Sequence, residues 1–366
     1  MTAFPHNGGA ARRPARAHLR RPLRNPDDLA AAGLVAADDA AALHEVSARY
    51  AVAVTPAMAD LIDTADPADP IALQFLPDVR ELETLPQERA DPIGDDAHAP
   101  VEGVVHRYRD RALLKLLHAC AVYCRFCFRR ETVGPGGASS LSPEAFARAM
   151  DYLRSHREIW EVILTGGDPL VMAPRRLAEV MRALGDIDHV KIVRIHTRVP
   201  AVDPERIDPA MVEALKASGK TVYVALHANH PRELTPAARA ACARLIDAGL
   251  PMVSQTVLLK GVNDDPNVLA ALMRAFVETR IKPYYLHHPD LAPGTGHMRV
   301  DIARGRDIMA ALRGRLSGLC QPEYVLDIPG GHGKSPIGPV YAESGADGGW
   351  RVADYAGGVH IYEDFR

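Results

Sequence analysis

Three cysteines fall within eight residues, Cys120-Ala-Val-Tyr-Cys124-Arg-Phe-Cys127. Thiolates on one short loop can hold three irons of a [4Fe-4S] cluster and leave the fourth iron open to another ligand. The alternative is zinc, which as a structural ion wants four protein ligands and could draw on Cys242 or Cys320. Five cysteines, an odd number with three bunched together, do not suit a disulfide framework. They suit a metal or redox site in a reducing compartment, so a cytoplasmic protein is expected.

Two further stretches carry potential chemistry. Leu164-Thr165-Gly166-Gly167-Asp168-Pro169 ends an apolar run, and its paired glycines would let backbone approach a ligand closely. Alone, such a pair is often a turn. Pro329-Gly330-Gly331-His332-Gly333-Lys334-Ser335-Pro336 is a glycine-rich loop ending in a lysine. It lacks the first glycine of a phosphate-binding GxxxxGK[ST] loop, because Ile328 stands there, and Pro336 prevents an immediate helix. The other use of such a lysine is a Schiff base with pyridoxal phosphate. An exposed loop lysine is the plain reading.

The elements that must position these residues begin near residue 107. Strand-like runs at Ala112–Leu117, Trp160–Thr165, Val190–His196, Thr221–His227, Met252–Leu259 and Pro283–His287 alternate with helical patterns. The helices are expected near Pro143–Ser155, Arg175–Leu184, Pro209–Ser218, Thr235–Ala248, Asp265–Thr279 and Ile302–Leu316, and a seventh apolar run is Tyr324–Ile328. This alternation predicts an α/β fold, a parallel sheet curled into a partial (β/α)6 barrel. Right-handed crossovers put every strand's C-terminal end on one rim. The cysteine loop, Gly166-Gly167-Asp168, His196 and Arg198, His227 with Asn229 and His230, and Asp290 all follow strands at that rim.

Four segments are expected: a flexible basic tail over 1–25, a helical and irregular extension over 26–105, the barrel over 106–320, and a C-terminal segment over 321–366 carrying Lys334. The tail holds six arginines and no acid, but no apolar run follows, which argues against a secretory signal. In the extension, Asp38–Tyr50 reads as a helix and Thr55-Pro56 as a helix start. The acidic, proline-rich stretch Pro67–Pro100 reads as a surface wrap. The net charge of −3 over 366 residues disfavours a globally basic nucleic-acid binder, and no apolar run approaches a membrane span.

The cysteine spacing resembles the signature of the radical S-adenosylmethionine (SAM) enzymes. That resemblance implies a cluster whose open iron chelates SAM, with Gly166, Gly167 and Asp168 as its GGE-type contact. Taken together, the motifs resemble the lysine 2,3-aminomutase family over about residues 68–340. Asp69-Pro70-Ile71, Pro77-Asp78, Asp91–His98, His106-Arg107-Tyr108, the cysteine loop, Leu164–Pro169, His230-Pro231, Gln255–Asp264, Pro283-Tyr284-Tyr285 and the glycine-lysine loop carry it.

The resemblance implies an isomerase that moves the α-amino group of lysine to the β-carbon, using a [4Fe-4S] cluster, SAM and pyridoxal phosphate. It places Cys120, Cys124 and Cys127 on the cluster and Lys334 on pyridoxal phosphate. Arg107, Tyr108 and Arg111 fall where the family anchors the cofactor phosphate, a task suited to guanidinium groups. Arg129 would pair the substrate carboxylate. Gly166, Gly167, Asp168, His227 and Gln255 would surround SAM. Asp290 and Asp327 match two carboxylates for the distal ammonium of lysine; facing acids repel unless a cation arrives, so a diamino acid is favoured. An external electron donor such as flavodoxin or ferredoxin is implied, and a homo-oligomer is open.

Other readings stand beside this one: the same chemistry on another amino acid, (R)-β-lysine made for elongation factor P, and a zinc-binding structural protein without catalysis. The stretch Leu286–Thr295 looks more like the shorter bacterial relatives, whereas the lysine loop and Asp327 look closer to the free-lysine enzymes. His287 and His288 would point to opposite faces of a strand, which argues against a shared metal.

Overall fold

The computed structural model describes residues 19–134, 140–345 and 349–363. Residues 1–18, most of the expected basic tail, lie outside them.

Nine strands form one sheet in chain order: β1 Val104–Tyr108, β2 Arg111–Leu117, β3 Glu161–Gly166, β4 Ile192–Thr197, β5 Thr221–His227, β6 Met252–Val257, β7 Ile281–His287, β8 Glu323–Ile328 and β9 Gly333–Pro336. From β2 to β8 every neighbour is parallel. β1 and β9 are antiparallel additions at the two edges. Among the described residues no pairing joins β9 back to β1, so the barrel is incomplete. The strands are rich in Val, Ile and Leu because both faces of a parallel sheet are covered.

Six helices fill the crossovers: α1 Pro143–Ser155, α2 Pro174–Gly185, α3 Pro209–Lys216, α4 Pro236–Asp247, α5 Pro266–Glu278 and α6 Ile302–Leu312. Their starts are written in the sequence. Ser142, Asp208, Thr235 and Asp265 each accept a backbone N–H from the first turn and are each followed by proline, whose fixed φ suits the first helical position. Each helix turns an apolar stripe, such as Leu177, Val180, Met181 and Leu184 of α2, onto a continuous core with the sheet.

Several features differ from the sequence reading. The edge strands β1 and β9 are additions to the seven runs expected; both are short hairpin partners, Val-Val-His-Arg-Tyr and Gly-Lys-Ser-Pro, without the apolar run that marks a strand. The stretch Pro67–Pro100 is also more than a surface wrap. It carries buried acids, Glu81, Glu88 and Asp95, and closes one side of the barrel mouth. Arg89 donates its N–H to Leu291 O at 2.9 Å, and Glu88 pairs with Arg299. Residues 19–25 of the expected tail belong to the described structure, and buried Leu23 exchanges two backbone bonds with Val54. A separate three-stranded antiparallel sheet, Ala342–Ser344, Trp350–Ala353 and Val359–Tyr362, follows β9.

Candidate active site

The cysteine loop leaves β2 and is pinned by the N-terminal extension. Tyr123 N–H donates to Ala53 O at 3.2 Å and Arg125 N–H to Gln74 O at 2.9 Å. The fully buried Arg125 sends its guanidinium to Glu81 at 2.9 and 2.5 Å and to Ala51 O at 2.7 Å. Arg130 shares the same Glu81. The loop therefore has little freedom before any metal is considered.

The double glycine explains itself in the same place. Gly167 N–H donates to Leu117 O at 2.6 Å and Asp168 N–H to Ala119 O at 3.0 Å. A Cβ on Gly167 would stand 2.2 Å from Ala119 O, and Gly166 adopts φ +106°. The strand end can lie flush against the residues that precede Cys120 only if both positions lack a side chain. Asp168 is otherwise engaged than expected. Its carboxylate accepts from Thr197 Oγ1 at 2.7 and 2.9 Å, Arg198 N–H at 2.7 Å and Leu170 N–H at 3.0 Å. The side chain ties β3 to β4, so what it offers a ligand is backbone.

The three thiols fit an iron–sulfur cluster by their chemistry. All three cysteines are free and half-buried. Burial, reinforced by the charge of Cys124, pushes Cys127 up to about 11, and burial, then the charges of Asp168 and the other two thiols, raises Cys120 well above the ordinary thiol range. Three adjacent thiolates are thus unfavourable without cationic metal, and Arg198 already donates to Cys124 Sγ at 3.3 Å. Among the described residues no three His, Cys, Asp or Glu side chains converge as a single ion requires. A four-iron cluster with one open iron asks instead for one thiolate on each of the other three.

Facing this loop across the lumen are His196, His227, Gln255 and His287. Gln255 Nε2 lies 3.3 Å from His196 Nε2, and the His196 and His227 rings are 5.5 Å apart. Burial first, then neighbouring cations and histidines, lowers His227 to about 3. It is neutral, and its Nε2 is a buried atom without a partner, as is Nε2 of His287. Orphaned buried polar atoms ask for a polar ligand. His288, the next residue, bonds Tyr324 Oη at 2.8 Å on the other side of the strand.

The lysine loop closes the mouth. Gly330, Gly331 and Gly333 all adopt positive φ, and a Cβ on Gly94 would meet Gly331 N at 2.4 Å. His98 holds Gly331 O at 3.0 Å. Lys334 N–H donates to Tyr108 Oη at 2.7 Å, and its ammonium lies on both oxygens of Asp327, at 2.7 and 2.5 Å. Lys334 and Asp327 are cross-strand partners in β8 and β9. Asp327 is lowered by His287 and Lys334 against its burial. Asp290 is pushed up to about 7, by burial and then by the charge of Asp327.

Arg107 and Arg129 meet on one acid the sequence reading quoted without a role. Asp95, buried, accepts from Arg107 Nη2 at 3.2 Å and from Arg129 Nε and Nη2 at 3.1 and 2.8 Å. Arg107 Nε is left without a partner. Arg111 stands apart: it stacks over the Tyr108 ring at 3.8 Å and pairs with Asp110 at 2.7 Å, partly in solvent. Within the chain the cation of Asp327 is Lys334. Asp95 gave one signal in sequence, its place in the Asp91–His98 motif. The Arg198–Cys124 contact gave none, because it depends on the register of two distant loops.

This arrangement has known counterparts. Residues 114–272 match the radical SAM superfamily. The L-lysine 2,3-aminomutase of Clostridium subterminale is 39% identical over 86% of this chain and 75% of its own length. A putative L-lysine 2,3-aminomutase of Aquifex aeolicus is 38% identical over 86% and 85%. A glutamate 2,3-aminomutase of Clostridioides difficile is 37% identical over 82% and 71%. A radical SAM domain implies a [4Fe-4S] cluster and SAM, and the loop that the three cysteines, Gly166 and Gly167 build suits them. The chain belongs to the lysine 2,3-aminomutase family of radical SAM enzymes and is an isomerase.

Proposed function

We propose that the chain is an L-lysine 2,3-aminomutase that interconverts L-lysine and β-lysine. Cys120, Cys124 and Cys127 would hold the cluster; Gly166, Gly167, Asp168 through its backbone, His227 and Gln255 would surround SAM. Lys334 would hold pyridoxal phosphate, with Arg107 and Tyr108 toward its phosphate and Arg111 behind Tyr108. When bound, the cluster with SAM supplies hydrogen-atom abstraction and pyridoxal phosphate supplies the covalent hold on the migrating nitrogen. A small one-electron donor of the flavodoxin or ferredoxin kind would feed the cluster.

The residues of the chain do the rest. Arg129, fixed by Asp95 and near Thr165 Oγ1 at 3.5 Å, presents a guanidinium to the substrate carboxylate. Asp290 and Asp327 face the distal end of the substrate, and His287 Nδ1 lies 3.7 Å from Asp327 Oδ2. His227 stays uncharged and keeps an open nitrogen for a hydrogen bond to SAM. The segment over 78–98 and the lysine loop cover the lumen and shield reactive species from water.

The observation that carries lysine over glutamate is the acid pair. Asp327 already binds an ammonium, that of Lys334, and Asp290 is raised by the charge beside it. A glutamate side chain would add a third carboxylate to that corner, where like charges repel. The test is anaerobic incubation of the reconstituted protein with L-lysine, SAM, pyridoxal phosphate and reductant. β-Lysine should form, fall by at least about 10³-fold in Lys334→Ala, and have no counterpart from L-glutamate. Cleavage of SAM without β-lysine, in protein holding its cluster, would overturn the substrate.

A further inference from the structure

We propose that Arg198 sets the reduction potential of the cluster: its guanidinium donates to Cys124 Sγ and favours the electron-rich state, while Glu233 holds it there and offsets part of its charge. The inference rests on the reading above that Cys120, Cys124 and Cys127 hold the cluster. It does not depend on which amino acid is rearranged.

The contact is assembled from distant segments. Arg198 follows β4, and its backbone N–H donates to Asp168 Oδ2 at 2.7 Å. Its Nη1 lies 3.3 Å from Cys124 Sγ, and its Nη2 donates to Gln74 Oε1 at 3.0 Å and to Glu233. Glu233 and Gln74 are both wholly buried. Glu233 is itself fixed by the N–H groups of Asn229 and His230, at 2.8 and 2.9 Å, and by Gln74 Nε2 at 3.2 Å. Phe75 and Phe126 flank the guanidinium, with ring centroids 5.0 and 5.5 Å from its carbon. A planar fork can give one nitrogen to a sulfur and another to a carboxylate, which a lysine ammonium does less well. The cysteine loop is already pinned by Arg125 on Glu81. Arg198 therefore adds charge where support is in place.

The consequence is electrostatic. Reduction brings one electron, from the small one-electron carrier named above, to a site already made anionic by three thiolates. A thiolate on iron keeps lone pairs, and hydrogen bonds to the sulfurs are among the levers that set such potentials. A charge-assisted bond away from water is among the stronger of these. The thiol of Cys124 shows the signs of the charges around it. Burial raises it, Arg198 opposes that rise, and Glu233 and Asp168 add to it. An arriving electron meets the same signs. Loss of the Arg198 cation makes reduction harder, and loss of the Glu233 charge makes it easier.

The experiment is potentiometry with EPR detection of the reduced cluster. It uses the anaerobically reconstituted full chain without SAM, so that any contact of Arg198 with SAM contributes nothing. Arg198→Gln should disfavour reduction by about 10-fold or more, a fall of about 59 mV for a one-electron couple. Glu233→Gln, which keeps Arg198, should move the potential upward. A change that merely loosened the fold would not move the two in opposite directions. Arg198→Gln that holds its cluster at the wild-type potential overturns the proposal, as do two variants shifted the same way. If Arg198→Gln alone loses its iron, Arg198→Gln combined with Glu233→Gln decides, since it leaves no buried carboxylate without a cation. Its potential should lie below that of wild type, because the lost cation is the nearer charge; an equal or higher value overturns the proposal. Wild type that forms no four-iron cluster would sink the cluster reading itself. A cluster that forms, with potentials indifferent to Arg198, removes this inference alone.

Discussion

Two clusters of charge in this chain are built differently. One surrounds the cysteine loop from behind: Glu81 takes Arg125 and Arg130, and Glu233 takes Arg198, Gln74 and two backbone N–H groups. There the carboxylates are sealed and the loop backbone is their load. The other lines the lumen: Asp327 with Lys334, Asp95 with two arginines, and Asp290 with no ion pair among the described contacts. Unpartnered nitrogens occur in both groups, Nε of Arg130 and Arg198 in the first and atoms of Arg107, His227 and His287 in the second, but only the second includes neutral imidazoles open to the lumen. Carboxylates engaged by loop-bearing arginines and backbone mark the scaffold here, and an acid without an ion pair beside imidazoles with an open nitrogen marks the place where a ligand completes the count.

The comparison breaks first at Glu81. Glu81→Gln leaves two buried guanidinium groups sharing a neutral amide, and breaking a buried ion pair from one side costs about 3–5 kcal/mol. The expected result is a large drop in thermal midpoint and loss of iron retention together, because the cysteine loop hangs from Arg125. A protein that melts normally and keeps its iron would show that Glu81 is not the anchor.

Asp290 tests the opposite pole. Its folded value of about 7 lies above the ordinary carboxylate range, so folding holds a proton that the unfolded chain has already released. By linkage the wild type loses stability as pH rises from that ordinary range toward 7, and the loss persists above it. Asp290→Asn removes the penalty. It should melt higher than wild type near pH 8, by on the order of 2 kcal/mol, with the gain vanishing in acid. The same variant should lose lysine affinity. An unchanged melting profile would mean that Asp290 is solvated and not part of the acid pair.

The difference between the clusters also governs what could be read from sequence. The seven parallel strands and six helices were legible because period and caps are local: Asp208-Pro209 and Thr235-Pro236 announce their helices without any tertiary information. The cysteine spacing and Gly166-Gly167 were legible as the marks of a radical SAM domain. The role of the Asp168 side chain was not, since its partners on β4 are set by strand order. Nor was Asp95, because a carboxylate in a proline-rich stretch looks like surface until Arg107 and Arg129 are seen to converge on it. The pairing of Lys334 with Asp327 needs the β8–β9 register, which no spacing rule in the sequence supplies.

Arg111 sharpens the comparison from the weak end. By resemblance it belongs with the phosphate anchors, yet in the fold it touches Asp110 and the face of Tyr108 rather than the lumen acids. Its partner Asp110 is 59% exposed, and a pair in that setting contributes under about 1 kcal/mol. The stacked guanidinium adds a comparable amount by steadying a ring whose hydroxyl holds the Lys334 backbone. Arg111→Ala should therefore leave the melt within about 1 kcal/mol of wild type and weaken pyridoxal phosphate retention by less than about 10-fold. Arg107→Ala should release the cofactor far more readily, because Arg107 shares Asp95 with Arg129 and retains an unpartnered Nε in the lumen. Equal losses from the two variants, read by cofactor absorbance after dialysis, would put Arg111 in the lumen group and move the line between scaffold and site.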